Sequence, residues 1–186
     1  MEKIEKIEAS KEGKLPVTKL DAAIRQLETA IKLWFYDADP VSIATLTYAG
    51  YQIISDLCVL RHGKPLAMNH CDGIREEYRA VMRKILRDTP NFFKHADKDP
   101  HETHYFHPDL TILHALEACD EYSKWGLEKR PIFELFTTWM ILTKPEVMKP
   151  EIQRRVADSD IDFDFFIQKG KRGYFDAVLV HFSKIC

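Results

Sequence analysis

Apolar residues recur along most of this chain at intervals of three and four, and few windows alternate with a period of two, so the pattern predicts helices and scarce strands. In TKLDAAIRQLETAIKLWF, Leu20, Ile24, Leu27, Ile31 and Trp34 share one helical face. Thr18, three residues before Asp21, gives that helix a weaker relative of the capping box. Asp39–Pro40 supplies an N-cap and a proline at the first helical position of a second helix, VSIATLTYAGYQIISDLCVLRHG, which runs to Gly63. Ile43, Leu46, Tyr48, Tyr51, Ile54, Leu57 and Cys58 make it apolar on more than one side, which predicts a central position. A third helix, CDGIREEYRAVMRKILRD, gathers Ile74, Tyr78, Val81, Met82 and Ile85 on one face. It is expected to stop at Thr89–Pro90, because proline disfavours helix at the residue before it, and a short new helix capped by Thr89 is expected to follow. Pro108 and Pro131 mark the starts of PDLTILHALEACDEYSKW and PIFELFTTWMILT, and the tail adds EIQRRVADS, IDFDFFI and YFDAVLVHFSKI.

These elements predict an all-α fold: an antiparallel helical bundle over 17–125, its first three long helices being antiparallel neighbours, with a C-terminal helical extension over 126–186. Residues 1–16 are expected to be frayed, and the 186 residues suffice for one domain with a substantial core. With 45% hydrophobic and 30% charged residues the composition is that of a globular chain. The net charge of −2 gives no general attraction to nucleic acid or to an anionic membrane, so any basic footprint must be local. Cys58, Cys71, Cys119 and Cys186 never form a Cys-x-x-Cys pair, as expected of free thiols in a reducing compartment. MEKIEKIEASKEGK lacks the apolar core of a secretory signal, and no apolar run is expected to span a bilayer. The expected location is the cytoplasm.

Chemistry concentrates in TPNFFKHADKDPHETHYFHPD, which holds four of the eight histidines. On a helix, Asn91, Lys94 and His95 point the same way, while Phe92 and Phe93 are expected to turn toward the core. Upstream, Arg75, Arg79, Arg83 and Arg87 recur every four residues. Asp72 and Glu76 can pair with Arg75 and Arg79, but Arg83 and Arg87 have no acid three or four residues away. A helical bundle with a short Asn-x-x-x-His element after basic residues resembles the HEPN superfamily, small all-α domains of prokaryotic defence and toxin systems that include metal-independent ribonucleases. The resemblance spans residues 18–95 in architecture and PNFFKH in motif, with Pro90 standing where the family carries its arginine. It implies a homodimer that binds RNA or a partner protein, with endoribonuclease activity needing no metal or other cofactor. His95 would take the 2′-hydroxyl proton, Arg87 or Lys94 would stabilise charge on the phosphate, Asn91 would position the reacting groups, and Arg83 with Arg87 would contact the RNA.

Two other readings stand beside it. One is a non-catalytic helical module that recognises a protein with the same surface. The other is a metal-dependent enzyme built on His101, His104 and His107, spaced by three among Asp97, Asp99 and Asp109. Pro100 and Pro108 break up that segment and no Glu-x-x-His element occurs in it, so a polar loop without metal is expected. His62 beside Gly63 is expected to serve the helix end, His70–Cys71 to be structural, and Trp34, Phe35 and Tyr36 to pack in the core. Asp158, Asp160, Asp162 and Asp164 lack the central glycine and terminal glutamate of a calcium loop.

Overall fold

The computed structural model describes residues 13–70, 76–97, 99–144, 154 and 163–182. The long helices begin largely where local chemistry caps them. Helix α1 (Lys19–Phe35) opens with a full capping box: the Asp21 amide donates to Thr18 Oγ1 at 3.0 Å and the Thr18 amide donates to Asp21 Oδ2 at 3.1 Å. Helix α2 (Pro40–His62) takes its cap from Asp39, whose carboxylate accepts the Ser42 amide at 2.7 Å. It ends at Gly63, where φ of 72° is open to a residue without Cβ. The short α3 (Ala67–His70) leads to α4 (Glu76–Phe92); α5 (Pro108–Lys124) and α6 (Pro131–Thr143) each start on proline, and α7 (Phe163–Gln168) and α8 (Gly170–Phe182) follow. Helix takes up most of the described residues, and no strand occurs among them. The all-α bundle expected from the periodicity is the observed fold.

The core is layered around α2, which packs on α1 on one side and on α5 on another, as its broad apolar surface predicts. The α1–α2 turn is short, so the two helices run back along each other. Their approach is close at Gly50: a Cβ there would lie 2.7 Å from Leu27 Cγ and 3.1 Å from the Ala23 carbonyl oxygen. Helix α6 packs against α1, α5 and α8, and Phe35, wholly buried, is where these elements converge. Its ring stacks on Phe175 at 4.5 Å and meets Phe136 and Trp139 edge-on at 6.5 Å. Trp34 packs beside it, so Phe35 and Trp34 join the core as expected, whereas Tyr36, expected there too, is 42% exposed because it lies past the last turn of α1. Around this seam Tyr36 Oη donates to Asp176 at 2.6 Å, and Lys171 pairs with Asp37 at 2.5 Å while lying over the Trp34 ring. Arg130 ties the start of α6 to Glu28 of α1 at 2.7 Å.

Four expectations change. The third long helix is not a full neighbour of the first two: α4 meets only a limited part of α2, and α5 takes the second place beside α2. Tyr78 and Val81, expected to face the core, are 58% and 60% exposed, because a helix period tells which residues share a face but not what covers it. Helix α4 also continues through Pro90 to Phe92, with the Phe93 amide donating to the Thr89 carbonyl at 3.2 Å. A proline so near the helix end leaves only its own missing donor, and Thr89, inside the helix, does not cap a new one. Finally, α2 is long and apolar enough to cross a membrane by length and composition, contrary to the expectation that no segment would be; half of that window is buried in the fold, as in a core helix. Arg75, Asp72, Ile74, Cys71, Cys186, the acids at 158–162 and most of EIQRRVADS lie outside the described residues, as do the side chains of Met82, Ile85 and His70.

The α1–α2 crossing gives a direct test. Gly50→Ala should destabilise the protein by about 1–3 kcal/mol through overpacking against Leu27, even though alanine favours helix over glycine by about 1 kcal/mol. A urea unfolding midpoint that falls with an unchanged slope is the expected result.

Candidate functional site

Four of the five residues singled out by sequence come together. Arg83, Arg87, Asn91 and Lys94, on α4 and the turn after it, form one wall of a cleft of ≈ 330 Å³. The opposite wall and floor come from Tyr48, Tyr51 and Gln52 of α2, Met68 of α3 and His114 of α5. No carboxylate lines it, and among the described residues none lies within ion-pair distance of Arg83, Arg87 or Lys94. Arg83 Nε donates to the Arg79 carbonyl at 3.3 Å, which lays that side chain along its own helix.

His95 is placed differently. It lines an adjoining cleft of ≈ 470 Å³ together with Asp88, Asp99, Glu102 and His104. Asn91 lines both clefts and stands in the wall between them. The helical turn that carries them is held by amide bonds from Lys94 and His95 to the Asn91 carbonyl, both 3.1 Å. Phe92 and Phe93 do not enter the main core as expected; half-buried, they form a satellite cluster with the loop. Phe92 stacks on the His104 ring at 5.1 Å and Phe93 meets Phe106 edge-on at 5.1 Å. Thr89 Oγ1 and His104 Nε2 share a hydrogen bond of 2.8 Å. His104 is therefore a structural tie between loop and helix, while His101 and His107 are exposed. Among the described residues no three His, Cys, Asp or Glu side chains are grouped as a metal centre requires. His62, mostly exposed, faces Glu121 at 3.5 Å at the end of α2. Burial pushes the free thiols of Cys58 and Cys119 upward, away from nucleophilic reactivity.

The floor contains what the sequence reading missed. His114 is 2% exposed and its ring is met edge-on by Tyr48 at 5.0 Å and Tyr51 at 4.7 Å. Its Nδ1 lies 2.7 Å from the Leu110 carbonyl oxygen, and since a carbonyl only accepts, Nδ1 carries the proton. Burial lowers the pKa from the ordinary 6.5, opposed in part by that hydrogen bond, so the ring is neutral and Nε2 is an acceptor. Tyr51 is oriented in turn by Glu117, which accepts its hydroxyl at 2.9 Å and the Ala67 and Met68 amides at 2.6 and 3.2 Å. The signal in the sequence was a histidine on the buried stripe of α5, in step with Thr111, Ala115 and Ala118. A polar ring there has to find its partner inside the fold.

Stability should report the buried ring. As pH falls through 6.5 the unfolded chain takes up a proton that folded His114 resists, so the unfolded state binds more protons and stability drops until the lower folded pKa is reached. Above 6.5 His114 contributes no slope. Urea midpoints measured at about pH 7.5 and about pH 5.5 should therefore differ less in His114→Phe than in the parent. No protein-family model matches the chain, and neither the curated proteins nor the solved structures give a match, so the chemistry of the clefts is what bears on function.

Proposed function

We propose that this is a HEPN-like, RNA-binding helical protein that works in the cytoplasm as a homodimer and cleaves RNA without a metal. The observation that carries the reading is the set of cations Arg83, Arg87 and Lys94 on one cleft wall with Asn91 and with no acid beside them. Unpaired cations around a concave surface attract polyanions despite a nearly neutral chain, because the field that matters is local. Phosphates would sit against Arg87 and Lys94, and the strand would pass Asn91 toward His95 in the adjoining cleft. There the imidazole would take the 2′-hydroxyl proton while the cations stabilise charge growing on the phosphate.

One further observation favours a second reading. Tyr78 and Val81 are apolar and exposed on α4, as in a non-catalytic module that docks another protein on this surface.

The readings separate by experiment. Arg87→Ala should weaken binding of a labelled single-stranded RNA and lower the logarithmic salt slope by about 0.7, the share of one phosphate contact. His95→Ala should abolish cleavage and leave stability within about 1 kcal/mol, since an exposed ring contributes little packing. A parent protein that neither binds nor cuts RNA, while forming a complex lost on Tyr78→Lys, would favour the interaction module.

A further inference from the structure

We propose that His114 recognises the ribose 2′-hydroxyl of RNA, which makes the cleft selective for RNA over DNA; the inference rests on the RNA-binding reading above. The argument starts from the unused acceptor. Nδ1 is committed to the Leu110 carbonyl, and Nε2 has no partner among the described residues although His114 is almost wholly buried. His114 lines the cleft, and Nε2 is not among the side-chain atoms sealed from solvent without a partner; a ligand that covered it without donating a hydrogen bond would leave an acceptor unpaired, which is costly, so the group that reaches the floor must be a donor. The wall opposite holds Arg87 and Lys94, which on the RNA-binding reading would hold phosphates. The ligand therefore presents an anion to one wall and a donor to the floor.

In a nucleic-acid strand the only donor on the sugar–phosphate chain is the 2′-hydroxyl. Base edges also donate, but a base entering the cleft needs a ring face to lie on. Tyr48 and Tyr51 are 6% and 2% exposed and are turned edge-on to His114, so neither offers such a face. A ribose with its phosphate, rather than a base, matches the lining. His114 cannot drift from this role, because the tyrosines pack against its ring and the Leu110 bond fixes its tautomer.

The test uses the full chain and one short labelled single strand in four forms: RNA, DNA, 2′-fluoro RNA and 2′-O-methyl RNA. Fluorescence anisotropy should show RNA binding at least about tenfold more tightly than the other three, which all lack the donor. The 2′-fluoro strand keeps an RNA-like sugar shape, so its loss isolates the hydrogen bond. In His114→Phe the affinity for RNA should fall to that for DNA, with DNA affinity unchanged. Should that variant fail to fold, His114→Leu, which also lacks the acceptor, serves in its place. Equal binding of RNA and 2′-fluoro RNA by the parent overturns the inference but leaves the RNA-binding cleft standing. An RNA preference that survives in the His114 variant overturns the assignment to this residue. Binding of none of the four strands overturns the RNA-binding reading, and the inference with it.

Discussion

The close crossing of α1 and α2 at Gly50 is the constraint on which the remaining geometry depends. With Leu27 Cγ only 2.7 Å from where a Cβ would stand, the two helices pack nearly backbone to side-chain root. That draws α2 into the centre and leaves its other faces to be covered by α5. Tyr48 and Tyr51 then project onto α5 and clasp His114, and one turn further along α5 Glu117 takes the Tyr51 hydroxyl and the first amides of α3. The cleft floor is thus an extension of the core: each of its parts is located by a residue that also holds two helices together.

The wall opposite has a different physical character. Helix α4 shares little surface with the bundle, and its last turn is fastened by a separate set of contacts: Thr89 with His104, Phe92 with His104, Phe93 with Phe106. A small cluster of half-buried rings costs less to open than a fully buried core, so this wall belongs to the low-stability part of the molecule. Any ligand that bridged Arg87 to the floor would contribute the contacts that α4 otherwise lacks, and part of its binding free energy would go into ordering the wall.

How much was legible in sequence follows from how local each signal is. Thr18, Asp39–Pro40, Pro108 and Pro131 act on the amides next to them, and all four mark observed helix starts. The apolar width of α2 foretold its central place for the same reason that it passes the length and composition test of a membrane span. The position of α4 was not legible, because Tyr78 and Val81 have the same spacing whether or not another helix lies over them. Pro90 misled through a preference that the satellite cluster overrides. Of the candidate residues, those on the Arg83–Lys94 run were found because helical spacing alone puts them on one side. His114 was not, because the partners that make it distinctive, the Leu110 carbonyl and two tyrosines of another helix, are defined only by the fold.

The two clefts also show why histidine count is a poor guide to chemistry. His95, His101, His104 and His107 stand close in sequence, yet the structure gives them unlike situations: His95 among carboxylates, His104 locked to Thr89, His101 and His107 in solvent. The histidine with the most constrained ring is His114, outside that segment. In His114 burial favours the neutral ring and the Leu110 carbonyl selects which nitrogen keeps the proton. That ring is thereby suited to accept a hydrogen bond at Nε2 without titrating near neutral pH. Asn91, with both a donor and an acceptor, is the side chain shared by the linings of the two clefts.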